Sequence, residues 1–236
     1  MNVGWLVAGL LACPVLVLAG GAVRPRAAGS VAAALAGLSF LLILGAWLGG
    51  LPDLRVTWLQ TWGLPLHFSL DGLAALYALL TTGIGYLVIV YSQAYMADHV
   101  HEERGLVRFY VLITFFMAAM VGLVVSGDLY SLLIFWDLTA IASYLLIAFD
   151  GHRQARVAAN SALVITAGSA VLLLAAAVLL HVETGTSDLP QVFADAPGGT
   201  TLTAVGFLTA CAAMAKSAQV PLHFWLRRAM VAPTPV

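Results

Sequence analysis

Seven long apolar segments restrict this chain to a membrane fold. They cover residues 3–23, 29–50, 72–96, 107–126, 129–149, 157–180 and 202–220. An α-helix needs ~20 mostly apolar residues to cross the hydrocarbon core of a bilayer. Only 9% of the 236 residues are charged, against ~25% in soluble domains, which leaves too little polar surface for an exterior that faces water. The segments therefore predict an all-α, polytopic transmembrane bundle of about seven spans.

The arginines predict the orientation of these helices. If successive loops alternate between the two sides, Arg55 lies alone on one side. The other side carries Arg24, Arg26, Arg104, Arg108, Arg153, Arg156, Arg227 and Arg228. Cytoplasmic loops are enriched in arginine and lysine, so we predict a multi-pass protein of the cell membrane with its N-terminus outside. The tryptophans that then fall near the outer interface, where aromatic side chains concentrate, are Trp5, Trp47, Trp58 and Trp62.

The polar connections divide the chain into two regions. Residues 1–70 are predicted to form two transmembrane helices and an extracytoplasmic loop, with the polar part at residues 51–71. Residues 71–236 hold the remaining helices and a second long polar connection at residues 181–200.

Composition and motifs exclude several classes of function. A net charge of −1 without a basic block argues against nucleic acid as a partner. Cys13 and Cys211 lie in apolar segments and are interpreted as packing residues. His99 and His101 have no partner ligands nearby in the sequence, so no metal site is predicted. The sequence also lacks phosphate-binding loops and the motifs of covalent catalysis, and we predict no cofactor in this chain.

Two ionisable residues lie deep inside apolar segments. Asp137 lies in the fifth segment, and Lys216, the only lysine of the chain, lies in the seventh. Charges at such depth are energetically costly, usually face the bundle interior, and often mark an ion path. A desolvated lysine can release its proton, whereas an arginine stays charged. Two interpretations follow: a buried Asp137–Lys216 ion pair that only fixes helix packing, or a proton-transfer pair.

Pro221 and His223 follow the lysine. Proline removes a backbone donor and clashes with the preceding turn, so the seventh helix is predicted to break near Pro221. Breaks at membrane depth accompany cavities and transport sites; simple termination of the helix at the cytoplasmic face is the alternative. His223 is a candidate accessory relay between Lys216 and the cytoplasm, and the alternative is a neutral histidine at the interface.

Four stretches resemble the antiporter-like subunits shared by Mrp-type Na⁺/H⁺ antiporters and respiratory complex I. They are residues 71–96, which begin Asp71-Gly72-Leu73; residues 135–147, which begin Phe135-Trp136-Asp137-Leu138-Thr139; residues 216–226, which contain Lys216, Pro221 and His223; and residues 232–236. They occur in the family's order and span about residues 71–236. The details favour the Mrp type over the subunits of complex I.

The resemblance implies a function and the residues that perform it. In the family, an acidic residue of the fifth helix and a lysine of the seventh are taken as the proton-translocating pair, and these correspond to Asp137 and Lys216. The implied protein is a subunit of a monovalent cation/proton antiporter or of a complex I-like assembly. Its partners would be other membrane subunits, lipid, protons and, as a candidate exchanged cation, Na⁺. An enzymatic assembly would be an NADH:quinone oxidoreductase-like or hydrogenase-like complex, with this chain in its membrane arm.

Three departures from the family pattern leave a second interpretation open. The family usually has glutamate at the position of Asp137. It usually reads Leu-Pro-Asp-Ala-Met where this chain has Leu226-Arg227-Arg228-Ala229-Met230, which alters the charge at the predicted cytoplasmic access. Its members also continue beyond the position that matches Val236, so the resemblance implies about one half-channel with a partial helix repeat over residues 71–236. A truncated, non-conducting scaffold subunit is therefore the alternative to a proton-translocating one.

Overall fold

The computed structural model describes residues 2–59, 64–100, 102–195 and 198–236. Its elements are α1 (Val3–Val23), a short 3-10 turn (Pro25–Ala27), α2 (Ala28–Leu48), β1 (Leu54–Leu59), β2 (Leu64–Phe68), α3 (Gly72–His99), α4 (Glu103–Val124), α5 (Leu129–Ile147), α6 (Arg153–Thr184), α7 (Leu189–Ala194), α8 (Gly199–Lys216) and α9 (Phe224–Ala229). They form two compact units. One unit contains Met1–Asp53, Ser69–Val125 and Pro233–Val236, and the other contains Leu54–Phe68 and Ser126–Ala232.

The helices confirm the predicted all-α, polytopic bundle. Within the described ranges, six helices are long and apolar enough to cross a membrane, and they are α1 to α6. The predicted seventh segment corresponds to α8, the non-helical residues 217–223 and α9. Because α8 has 18 residues that include four threonines and Lys216, it is less apolar than the other six.

Small residues allow the helices of the first unit to pack closely. Helix α1 packs on α2 and α4, and α3 packs on α2 and α4. Along one face of α2, Ala28, Ala32 and Ala36 are fully buried, and such small side chains let helix backbones approach each other in membranes. Asp71 caps α3, because its Oδ1 accepts the N–H of Ala74 at 2.7 Å.

Helix α6 is the centre of the second unit. It packs against α5, α7, α8 and α9. Ala155, Ala159 and Ala162 are buried on α6, and Ala159 and Ala162 belong to a core cluster that includes Ile147 of α5 and contacts Trp225 of α9. Helix α6 therefore fixes α5 and α8, the two helices that carry the predicted ion pair.

A β-hairpin occupies part of the predicted polar loop at residues 51–71. Strands β1 and β2 are antiparallel, with Leu54 opposite Phe68 and Val56 opposite Leu66. Val56, Thr57 and Trp58 favour extended structure because branched and aromatic side chains fit a pleated surface. The sequence analysis assigned no strands to this connection, because its residues were interpreted by their polarity.

Three of the four tryptophans of the predicted outer interface lie on the surface of the chain. Trp5 is 68% exposed, Trp47 46% and Trp58 49%. Trp62 lies outside the described residues, as does His101. The orientation in the membrane remains a prediction.

Candidate functional site

Lys216 is the last residue of α8, and the chain leaves the helix directly after it. Ala218 has a left-handed backbone with φ of 53°. The N–H of Gln219 donates to the carbonyl of Met214 at 2.8 Å, and the N–H of Ala218 to that of Ala215 at 3.4 Å. This pair of bonds is a Schellman motif, which ends a helix by satisfying its last carbonyls. The helix is broken as predicted, but it ends at Lys216, five residues before Pro221, because the left-handed Ala218 forms the C-terminal cap.

The ammonium group of Lys216 is bound to one turn of α5. Its Nζ donates to the backbone carbonyl of Trp136 at 2.9 Å and to Oγ1 of Thr139 at 2.7 Å. Nζ also lies 5.1 Å from the centroid of the Trp136 ring, within the range of a cation–π interaction. Thr139 is 1% exposed, and its hydroxyl donates to the carbonyl of Trp136 at 2.7 Å. Lys216 is thus held by neutral acceptors on the turn that carries Asp137.

Asp137 and Lys216 do not form the predicted buried ion pair in this structure. Among the described residues, the Asp137 carboxylate has neither a hydrogen-bond nor an ion-pair partner, and its side chain is exposed. The reason is the register of α5. Asp137 shares the exposed face with Ile134 and Ile141, whereas Lys216 reaches the buried face at Thr139. The two groups therefore lie near the same turn without contact.

The sequence interpretation missed the residues that hold the lysine and orient its neighbour. In the sequence, Trp136 and Thr139 stand out only as part of the family motif. Ser169 of α6 accepts a hydrogen bond from Nε1 of Trp136 at 3.0 Å. Thr139 and Ser169 are polar residues inside apolar helical segments, which could have marked them as candidates. The sequence does not show which helix each of them faces.

The second helical piece, α9, is joined to α8 by a side chain. Nε1 of Trp225 donates to the carbonyl of Ala215 at 3.0 Å, so an indole satisfies one of the carbonyls at the end of α8. The indole thus adds a donor at the helix end, where the last carbonyls lack intrahelical partners.

The remaining predicted site residues lie beyond the break. His223 precedes α9 and is exposed, with no side-chain hydrogen bond to the described part of the chain. Arg228 donates to Oγ of Ser161 at 3.2 Å, and its guanidinium lies 5.8 Å from the Phe224 ring centroid. Arg227 is exposed. These contacts bring neither His223 nor the arginines to Lys216.

No group of three metal-binding side chains is present in the described ranges. His99 makes a local contact instead, with its Nδ1 2.9 Å from the carbonyl of Tyr95.

A second group of polar residues lies at the start of α5, and all of its members except the half-exposed Arg55 are buried. Asp128 is fully buried. Its Oδ1 accepts the N–H groups of Tyr130 and Ser131 at 3.1 and 2.8 Å and so caps α5. Its Oδ2 accepts the backbone N–H of His67, from strand β2, at 2.9 Å. One carboxylate therefore joins the hairpin to the helix that carries Asp137.

Asp188, just before α7, completes this group. It is 2% exposed, and its Oδ1 lies 2.7 Å from Nδ1 of His67. Its Oδ2 accepts a hydrogen bond from Arg55 at 2.9 Å. We call Arg55, His67, Asp128 and Asp188 the anchor cluster. It connects β1, β2, α5 and the chain before α7 through charged hydrogen bonds, which are among the stronger ones in proteins.

Gly127 provides a test of this packing. A Cβ at Gly127 would lie 2.6 Å from Nδ1 and 2.7 Å from Cγ of His67. The His67 ring is buried and bound to Asp188, so it has no room to move. We expect Gly127→Ala to destabilise the second unit by about 1 to 3 kcal/mol, measured as faster hydrogen exchange of the β1 and β2 amides. Gly168→Ala is the control, because no atom lies within 4 Å of that Cβ position; equal protection in both variants would contradict the prediction.

Two family models match this chain, and one of them covers the region of the lysine site. Residues 126–236 match the family model described as "NADH:quinone oxidoreductase/Mrp antiporter, TM". Residues 58–110 match the model described as "NADH-Ubiquinone oxidoreductase (complex I), chain 5 N-terminus". The first match contains both Asp137 and Lys216.

Similar proteins extend these matches over most of the chain. A probable K(+)/H(+) antiporter subunit of Rhizobium meliloti is 38% identical over 87% of this chain and 21% of its own length. A Na(+)/H(+) antiporter subunit of Alkalihalophilus pseudofirmus is 39% identical over 80% of this chain and 24% of its own length. One chain of the solved Mrp complex from Dietzia sp. matches with a TM-score of 0.88 at 31% identity, over 98% of this chain and 25% of that one.

The chain thus spans between 21% and 25% of the length of these relatives. The two family models, the relatives and the solved structure agree with the six apolar helices. The chain is a multi-pass membrane protein and belongs to the family of antiporter-like subunits shared by Mrp antiporters and complex I.

Proposed function

We propose that this chain forms a proton-translocating part of a monovalent cation/proton antiporter subunit, with Lys216 as the proton-carrying group and Asp137 as its acidic partner. The observation that carries the proposal is the attachment of Lys216 Nζ to the turn of α5 that carries Asp137. A lysine held there by a carbonyl and a hydroxyl, with a carboxylate nearby but not in contact, is placed to change its protonation state.

The hydrogen bonds of Lys216 are compatible with both protonation states. An ammonium group has three N–H donors, and a neutral amine has two and one lone pair. The carbonyl of Trp136 and the hydroxyl of Thr139 take two donors. The third N–H is therefore the proton that the lysine releases or accepts, and the other two bonds persist through that step.

Asp137 supplies the negative charge that favours the protonated lysine. A carboxylate on a helix face between Ile134 and Ile141 is costly to expose to hydrocarbon. We infer that protein or water covers this face in the assembled protein. The flexible lysine stem can carry Nζ between the Thr139 site and the Asp137 side of α5, which gives the proton two positions along a path.

The break between α8 and α9 is the proposed route for protons from the cytoplasmic side. Non-helical backbone at membrane depth lines cavities in transporters. In this proposal the chain between α8 and α9, which contains Pro221, admits protons to Lys216. His223 is the accessory relay, and Arg227 and Arg228 set the charge at the access.

The names of the relatives support the ion specificity and the partners that we propose. Relatives are described as K(+)/H(+) and Na(+)/H(+) antiporter subunits, and the solved match is part of an Mrp complex. We therefore propose exchange of a monovalent cation for protons, within a complex whose other members are membrane subunits surrounded by lipid.

Neutralising Asp137 tests the proposal against a non-conducting scaffold. We expect Asp137→Asn to slow cation-driven proton movement in everted vesicles about tenfold, because a charge interaction across several ångströms contributes about 1 to 2 kcal/mol. The variant is measured in the complete assembly. Asp150→Asn, the same change at an exposed turn after α5, is the control. Parental transport by an assembled Asp137→Asn complex would exclude Asp137 from the proton path.

A further inference from the structure

We propose that Ser169 of α6 is a positioning residue for Lys216 and that it acts through the indole ring of Trp136. The inference rests on the proposed function of Lys216. Ser169 is 1% exposed, and its Oγ accepts a hydrogen bond from Nε1 of Trp136 at 3.0 Å. Three helices thus meet in one chain of contacts, from Ser169 on α6 through Trp136 on α5 to Lys216 on α8.

The serine is itself oriented to accept this bond. Its hydroxyl donates to the carbonyl of Thr166 at 2.6 Å, so its hydrogen is already used and a lone pair is available to the indole N–H. In the part of the chain that the structure describes, three other buried hydroxyls bond only to their own helix: Thr82 to Ala78, Thr114 to Tyr110 and Thr166 to Ala162. Ser169 differs from these three because it also receives a bond from a neighbouring helix.

Trp136 contacts the lysine through two parts of the residue. The carbonyl of Trp136 is 2.9 Å from Nζ, and the ring centroid is 5.1 Å from it. The carbonyl is fixed by the helix, but the ring depends on its side-chain rotamer. A hydrogen bond at Nε1 restrains that rotamer, and the attraction between the ring and the ammonium group depends on their distance and orientation.

Ser169 therefore sets how well the protonated lysine is held at its α5 position. Without the serine hydroxyl the indole loses its acceptor, and the ring no longer keeps a fixed position beside Nζ. We expect Ser169→Ala to reduce proton-coupled transport about threefold to tenfold, the size of a partly desolvated cation–π contact. Thr166→Val is the matched control, since that buried hydroxyl bonds only within α6.

A double-variant cycle in the complete assembly separates positioning from packing. Trp136→Phe keeps a ring but removes the N–H. If Ser169 acts through the indole, Ser169→Ala slows transport in the parent and adds nothing in the Trp136→Phe background. Equal effects in both backgrounds would show that Ser169 acts independently of Trp136 and would overturn the inference.

A spectroscopic measurement gives a second readout that packing alone does not change. The Raman band sensitive to the indole N–H hydrogen bond is assigned to Trp136 by difference against Trp136→Phe. We expect Ser169→Ala to shift this band to that of a weaker hydrogen bond and Thr166→Val to leave it in place. An unshifted band in Ser169→Ala overturns the inference.

The failure of this inference can be distinguished from the failure of the proposed function. If a Lys216 variant loses transport while Ser169→Ala transports at the parental rate, Lys216 keeps its role and Ser169 is a packing residue. If the Lys216 variant keeps transport, the proposed function itself is wrong, whatever the result at Ser169.

Discussion

Replacing Lys216 by arginine is expected to reduce proton-coupled transport by about a hundredfold or more, the usual effect of losing a proton-transferring group. Arginine keeps the positive charge and can donate to the carbonyl of Trp136 and to Thr139, so the contacts between α8 and α5 are retained. It does not release its proton at accessible pH. The variant therefore separates a fixed charge from a group that must change its protonation state. The measurement is cation-driven pH change in everted vesicles that contain the complete assembly.

The controls for this experiment are on the same part of the chain. Arg227→Lys exchanges one cation for another at an exposed position of α9, and it should transport at nearly the parental rate. Lys216→Met removes both the charge and the proton, and it should be as inactive as the arginine variant. Full transport by an assembled Lys216→Arg complex would show that this residue does not need to release a proton. Lys216 would then have only a structural role, as the scaffold interpretation proposes.

The transmembrane helices and the unusual lysine could be predicted because they depend on local properties of the sequence. A run of ~20 apolar residues predicts a membrane helix wherever it occurs. A single lysine in such a run is recognisable as unusual without knowing which helices pack against it. The end of α8 was less predictable. Pro221 is the visible helix breaker, whereas the helix ends at Lys216 through the left-handed backbone of Ala218, a residue type that favours helix.

The partners of Lys216 could not be predicted because they depend on the rotation of α5 about its axis. Charge complementarity indicated Asp137, but the face that meets α8 carries Thr139. Each helical position turns the side chain by about 100°. Asp137 and Thr139 are two positions apart and therefore point to nearly opposite sides of α5. The sequence also does not show that Asp137 lies on the exposed face of α5. Apolar residues occur on every side of this helix, so their pattern does not distinguish its buried face from its exposed one.

The anchor cluster was missed for a different reason. Asp128 and Asp188 follow glycine or serine in polar connections, a pattern typical of solvent-exposed turns. In the structure both carboxylates are buried, at 0% and 2% exposure, because the hairpin β1–β2 covers them. The pairing depends on residues more than 60 positions apart in the chain, and periodicity carries no information at that range.

Removing the carboxylate of Asp188 is expected to have the largest effect on stability. Its two oxygens bind His67 and Arg55 at 2.7 and 2.9 Å. Arg55 is half exposed, so its bond to Asp188 contributes at most about 1 kcal/mol. His67 is buried, and although its Nδ1 keeps the Gly127 carbonyl at 3.2 Å, losing the carboxylate costs about 1 to 3 kcal/mol more. We expect Asp188→Ala to lower the apparent melting temperature in detergent by about 5 to 15 °C. Hydrogen exchange should show the loss directly at the β1 and β2 amides.

The matched control lies on the same connection. Asp195 ends α7 and is exposed, so Asp195→Ala removes the same charge without emptying a buried site, and its effect should stay within about 0.5 kcal/mol. Asp188→Asn should fall between the two, because an amide oxygen can replace one of the two acceptor contacts but not the charge. If Asp188→Ala and Asp195→Ala melt alike with equal protection of the hairpin, the anchor cluster does not hold β1 and β2 on the start of α5. A destabilised hairpin with intact transport would show that the anchor cluster and the lysine site of the same unit act independently.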